Sequence, residues 1–155
     1  MIPVKIGALA YVIVPVRNLE KATKVYSNLL GIGPPPEPHP YSKQLTMDKP
    51  GFKLRIQLLK MPNDCWLELV EPVEGPRVEL LQNNGEGAVY MLGFRVDNIE
   101  KAYDELKSIG ITPVDSMNVP MIDKKYDMGL CGEKAFNLPP EKTGGTRIEV
   151  VETHF

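Results

Sequence analysis

Val16-Arg17-Asn18-Leu19-Glu20-Lys21-Ala22 returns eighty positions later as Val96-Asp97-Asn98-Ile99-Glu100-Lys101-Ala102. A second pair keeps the same order: Leu67-Glu68-Leu69-Val70-Glu71 returns as Ile148-Glu149-Val150-Val151-Glu152, at an offset one residue longer. Helix starts and strand ends resemble one another in many chains. Two matches in one order at nearly one offset are instead the mark of an internal repeat. The chain therefore reads as one domain of 155 residues built from two modules, at about residues 1–75 and about residues 85–155.

Each copy predicts the same succession of elements. Asn18 and Asn98 suit the N-cap, where a side-chain oxygen accepts from a free amide of the first helical turn. Leu19, Ala22, Val25, Tyr26 and Leu29 then recur at helical spacing until Gly31, and Ile99, Ala102, Tyr103, Leu106 and Ile109 do so until Gly110. An apolar strand precedes each helix, at residues 9–14 and 89–96. Strand-like runs follow at 41–47, 52–61 and 65–71 in module one, and at 121–126, 133–138 and 146–151 in module two. The pattern is βαβββ twice, an α+β fold. Pro34, Pro35, Pro36, Pro38 and Pro40 make a stiff connector, and Gly144-Gly145 a turn before the last strand.

Composition sets outer limits. With 43% hydrophobic and 25% charged residues, the chain can bury a core without disulfide staples. A net charge of −2 and a single adjacent lysine pair, Lys124-Lys125, leave no basic stripe for nucleic acid. Cys65 and Cys131 lie far apart; Cys65 reads as a small core residue, and a reducing, cytoplasmic setting is expected. The apolar run at residues 6–16 imitates a secretory signal but lacks a small-x-small cleavage site and is too short to span a membrane. It reads as a buried strand, with no membrane partner.

Three stretches carry a family likeness. Leu67-Glu68-Leu69-Val70-Glu71-Pro72 is similar to an E-L-x-x-P strand end. Gly85-Glu86-Gly87, with Gly93-Phe94-Arg95-Val96-Asp97-Asn98-Ile99 after it, is similar to G-E-G-x-H-H-x-x-F-x-V-D-x-I. Residues 134–149 are similar to the closing pattern A-F-x-x-P-x-x-x-x-G-x-x-x-E, here from Ala135-Phe136 to Glu149 with one residue more than the pattern. These patterns resemble the vicinal oxygen chelate (glyoxalase/bleomycin resistance/dioxygenase) superfamily, and within it the methylmalonyl-CoA epimerase family. The resemblance implies two βαβββ modules forming a U-shaped mixed sheet around a cavity. It also implies a divalent metal held by one residue from the first and last strand of each module, with a nearby base taking the proton beside a polarised carbonyl. Carried over, the four positions are Tyr11, Glu68, Met91 and Glu149.

Histidine is expected where Tyr11 and Met91 stand, so two of four ligands are missing and the metal site is weak or absent. The glycine-rich segment is one residue longer than the pattern, leaving Tyr90 and Met91 as alternatives for one inward position. The epimerases also carry a glutamate before a Q-G-V; the matching run here is Lys49-Pro50-Gly51-Phe52, with lysine in that place and Asp48 beside it. Glu68 lies between Trp66 and Val70 on its own strand face; those apolar neighbours, and its repeat partner Glu149, favour a cavity-facing pair of carboxylates over a surface pair. Tyr11 reads as a hydrogen-bonding partner of a glutamate, a substrate contact, or a core tyrosine satisfied by backbone. Met91 reads as packing or a substrate contact. Arg147 shares strand parity with Glu149 and reads as a carboxylate grip or an exposed strand arginine. His39 and His154 read as exposed bystanders.

Two functions are compatible with these residues. In the first, the protein is an isomerase (epimerase) or lyase of the glyoxalase type. Glu68 and Glu149, with Tyr11, then move a proton next to a carbonyl or thioester of an acyl-CoA or small carboxylate, one glutamate being raised in pKa by burial. Trp66, Arg147, Met91 and Tyr90 contact that substrate, and any cofactor is a weakly held divalent ion on Glu68 and Glu149. In the second, the protein is a non-catalytic small-molecule binder of the bleomycin-resistance type, with Trp66, Tyr11 and Tyr90 stacking a ligand. Exposed sheet edges predict a homodimer in either case.

Overall fold

A computed structural model of the chain describes residues 7–155. Ile6, the first residue of the signal-like run, lies outside the described residues; the rest of that run forms a strand and its exit. The chain divides into two compact units, one of residues 11–90 and one of residues 91–155 with the segment before residue 11.

The first unit holds β1 (Leu9–Pro15) from Tyr11 onward, α1 (Leu19–Leu30), β2 (Leu45–Lys49), β3 (Phe52–Lys60), β4 (Trp66–Glu74) and α2 (Pro76–Asn84). Its strands lie in the order β2-β3-β4-β1, with β1 parallel to β4 and the other pairs antiparallel. The second holds β5 (Met91–Arg95), α3 (Ile99–Ser108), β6 (Asp127–Met128), β7 (Lys134–Leu138) and β8 (Ile148–Glu152), ordered β5-β8-β7-β6. Here β5 is parallel to β8. Both units are βαβββ modules, and the fold is α+β.

The repeat has a mechanical cause. Asn18 Oδ1 accepts from the Lys21 amide and Asn98 Oδ1 from the Lys101 amide, each at 2.8 Å. The last glutamate of each repeated strand completes the cap: Glu71 Oε2 accepts from the Leu19 amide and Glu152 Oε2 from the Ile99 amide, again at 2.8 Å. A carboxylate there meets the positive end of the helix dipole as well as an otherwise orphaned donor. The chain leaves the first strand in the same way twice, with the Val16 amide on the Val70 carbonyl and the Val96 amide on the Val151 carbonyl, both 2.9 Å. The two repeated motifs thus co-occur because one caps the other's helix.

Each helix closes one sheet face. Leu19 and Ala22 pack with Val14, Val16, Leu59, Leu67 and Leu69, while Ile99, Ala102, Tyr103 and Leu106 pack with Phe136, Leu138 and Val150. The α1 stripe is narrower than its spacing predicts: Tyr26 packs partly buried against this core, while Val25 and Leu29 are exposed. Gly31 ends α1 in the left-handed conformation, with its amide on the Ser27 carbonyl.

Three readings of the sequence need correction. The expected strand at 41–47 begins only at Leu45, since His39 Nδ1 accepts from the Tyr41 amide and residues Pro40–Ser42 wind into a 3-10 turn around buried Tyr41. Residues 121–126 form no strand. Met121 is drawn into the α3 core, Lys124 adopts a φ of 56°, and the strand there shrinks to Asp127–Met128. The link between the modules also contains α2, whose signal was Gly75-Pro76 ahead of Val78, Leu81 and an acidic first turn. Cys65 precedes β4 and is half-buried, its carbonyl closing a turn with the Met61 amide.

Candidate active site

In the first module the parallel register sets Tyr11 beside Trp66 and Ile13 beside Glu68, while β3 sets Leu58 on the other side of Glu68. Residues in register share a sheet face, so Tyr11, Ile13, Leu58, Trp66, Glu68 and Val70 project together, away from α1. All of them but Glu68 are buried, Tyr11 at 4% and Trp66 at 2% exposure. Glu68 is half-buried in their midst. An ionised carboxylate in such a place needs a partner, a ligand or a proton.

Around Trp66 stands an aromatic group that the sequence did not single out. Tyr41 meets it edge-on at 4.9 Å between ring centres, and His39 lies 5.2 Å away. The Tyr11 and Tyr41 hydroxyls are 2.8 Å apart. His39 is therefore no exposed bystander: it is half-buried, seated against Trp66 by the proline connector, and caps the turn that holds Tyr41. Among the described residues, the indole Nε1 of Trp66 is buried without a hydrogen-bond partner. Such a donor is costly to keep unless something else accepts from it. His154 is exposed.

In the second module Glu149 pairs with Gly93 on one side and Asn137 on the other. Met91, two residues before Gly93, shares that face by alternation and is 4% exposed. This resolves the register left open by the longer glycine-rich segment. Tyr90 precedes the strand and turns its ring to the Arg77 guanidinium, 4.8 Å from the ring centre. Arg147 stands one residue before β8, half-buried, its carbonyl accepting from the Leu92 amide. Asn137 escaped the sequence reading. It is 8% exposed, beside Glu149 in register, and its only signal was a lone amide within Ala135-Phe136-Asn137-Leu138.

The donor set does not suit a divalent ion. Tyr11 offers a phenol whose hydroxyl is shared with Tyr41, and Met91 a thioether that hard ions avoid. Among the described residues no three histidine, cysteine or carboxylate groups gather as metal ligands do. Lys49, where the epimerase pattern has glutamate, is exposed, and neighbouring Asp48 is paired with Lys53 at 3.3 Å. Away from these faces, the Arg55 guanidinium holds the Glu20 carboxyl below its ordinary value, and burial raises the Cys131 thiol and the Tyr126 phenol.

Residues 11–125, well over half of the chain, match the family model of the glyoxalase/bleomycin resistance protein/dioxygenase superfamily. The chain belongs to that superfamily. It is 29% identical over 149 residues to the ethylmalonyl-CoA/methylmalonyl-CoA epimerase of Cereibacter sphaeroides, covering 94% of this chain and 97% of the relative. With the mitochondrial methylmalonyl-CoA epimerase of Homo sapiens it shares 25% over 147 residues, covering 94% and 73%. The solved methylmalonyl-CoA epimerase of Mycobacterium tuberculosis has the same fold, with a TM-score of 0.78 at 21% identity, covering 100% of this chain and 94% of that one. The chain is thus epimerase-like in sequence and fold. No helix among the described residues is long and apolar enough to cross a membrane.

Proposed function

We propose that the protein is an isomerase of the epimerase type, moving a proton at the carbon next to the thioester or carbonyl of an acyl-CoA or small carboxylate. The observation that carries this reading is Glu68, a half-buried carboxylate on a face otherwise made of buried apolar and aromatic side chains. Glu68 and Glu149 are the carboxylates that take and return the proton: an ionised carboxylate removes it from the α-carbon, leaving an enolate, and a protonated carboxyl delivers one back. The reaction needs no oxidant or reductant, and the pair is reset by exchange with water. The unpartnered Trp66 indole N–H supplies a donor for the enolate oxygen, a task that needs preorganisation in a dry site. Tyr11, Met91, Tyr90 and Arg147 contact the substrate. No step is assigned to a metal, and binding of a divalent ion to Glu68 and Glu149 is weak.

The retention of two carboxylates of the four ligand positions favours chemistry over sequestration. The pairing of the Tyr11 hydroxyl with Tyr41 favours the second reading, a ligand-binding protein with an aromatic wall. Incubation with a single epimer of methylmalonyl-CoA separates them. The enzyme reading expects the other epimer to accumulate to equilibrium. No conversion of methylmalonyl- or ethylmalonyl-CoA, together with tight binding of another small molecule, would replace it with the binder.

A further inference from the structure

We propose that Arg77 is an anion-binding residue of the first module, placed to grip an oxyanion of the ligand. Arg77 is the second residue of α2, and its guanidinium carbon lies 5.3 Å from the Phe52 ring centre and 4.8 Å from that of Tyr90. Its side chain makes no hydrogen bond or ion pair among the described residues, and its Nε is buried without a partner. Two other arginines are spent: Arg55 on Glu71, Glu20 and Gln44, and Arg95 on the Phe155 carbonyl. With two aromatic rings beside the guanidinium and no described group taking up its terminal N–H donors, those donors are left for a planar or tetrahedral oxyanion. A flat cation held by two rings and lacking a carboxylate is a preorganised receptor.

The backbone fixes that position. Gly75 has a φ of 106°, and a Cβ there would come within 2.8 Å of the Gly51 carbonyl oxygen. Only glycine lets the start of α2 close on the turn between β2 and β3, which seats Arg77 over Phe52. Along β3, Phe52 alternates onto the face of Leu54, Ile56 and Leu58, and Leu58 is in register with Glu68. Arg77 therefore covers the face that carries the candidate carboxylate. Six residues separate Phe52 from Leu58, about 20 Å of extended strand. That spacing favours a phosphate group of a coenzyme A handle over a carboxylate next to the reacting carbon. The inference rests on the acyl-CoA reading for the source of the oxyanion, but not for the anion site itself.

Calorimetry on the full chain and its Arg77→Gln variant, with inorganic pyrophosphate, malonate and coenzyme A as separate probes, tests it. Pyrophosphate and coenzyme A should bind the variant about tenfold or more weakly, the usual loss for a charge-assisted pair, with malonate unaffected. Arg77→Lys should restore only part of the affinity, because an ammonium lacks the fork. A loss confined to malonate assigns the oxyanion to the acyl carboxylate and keeps the site. Binding of pyrophosphate through Arg77 without any binding of coenzyme A keeps the site and removes the acyl-CoA reading. A wild type that binds none of the three probes, or a variant that binds all of them as the wild type does, overturns the inference. A purely structural arginine would instead show a lowered Tm in Arg77→Gln with unchanged binding. Should that variant fail to fold, wild-type affinity for pyrophosphate and coenzyme A in Arg77→Lys overturns the inference equally.

Discussion

Glu68 and Glu71 stand three residues apart on one strand and do opposite work. Glu68 faces away from α1, among Trp66, Ile13 and Leu58. Glu71 faces the helix side, accepting from the Leu19 amide and from Arg55 at 3.2 Å. The same division recurs between Glu149 and Glu152 in the second module. From the sequence alone both members of each pair repeat, and only the first was read as informative. Replacing Glu71 by Ala removes a helix cap and a partner of Arg55, so stability should fall by about 1–2 kcal/mol. Urea unfolding measures this, and a midpoint equal to that of the wild type would deny the capping role.

Among elements, those fixed by local periodicity were legible and those fixed by tertiary contact were not. The caps at Asn18 and Asn98, the helices behind them and the strands of the repeated motifs follow from spacing that any module of this kind must keep. The strand expected at 121–126 failed because Met121 is claimed by the α3 core and Lys124 turns left-handed, neither of which its local pattern shows. α2 was missed because its apolar spacing is faint and its seat depends on Gly75, far in sequence from the turn it meets at Gly51. Of the candidate site, the sequence offered Glu68, Glu149, Tyr11 and Trp66 through the repeat and the family pattern. It did not offer His39, Tyr41, Asn137 and Arg77, since each gains its setting from a strand or connector remote in the chain. Gly75→Ala carries both a left-handed φ penalty and a backbone clash, and should cost about 1–3 kcal/mol. A thermal scan showing wild-type Tm would mean that α2 can shift without loss.

For the whole molecule, two consequences concern assembly and activity. Leu29 and Leu30 on α1 are 76% and 60% exposed, and Ile122 is 82% exposed. Large apolar side chains left in water favour association, and a homodimer is the expected solution state. Light scattering at about tens of micromolar, where ordinary specific interfaces are filled, should give twice the chain mass; a strict monomer would contradict it. The central claim is that Glu68 and Glu149 exchange a proton with the α-carbon of a thioester, and deuterium wash-in from D₂O into methylmalonyl-CoA tests it most directly. Glutamine keeps the shape of each side chain and removes its charge, so Glu68→Gln and Glu149→Gln should stay folded. The account predicts rapid incorporation by the wild type and, in at least one of the two variants, a loss of about a hundredfold or more, the usual contribution of a general base. Incorporation undiminished in both variants, or absent from the wild type, would contradict it.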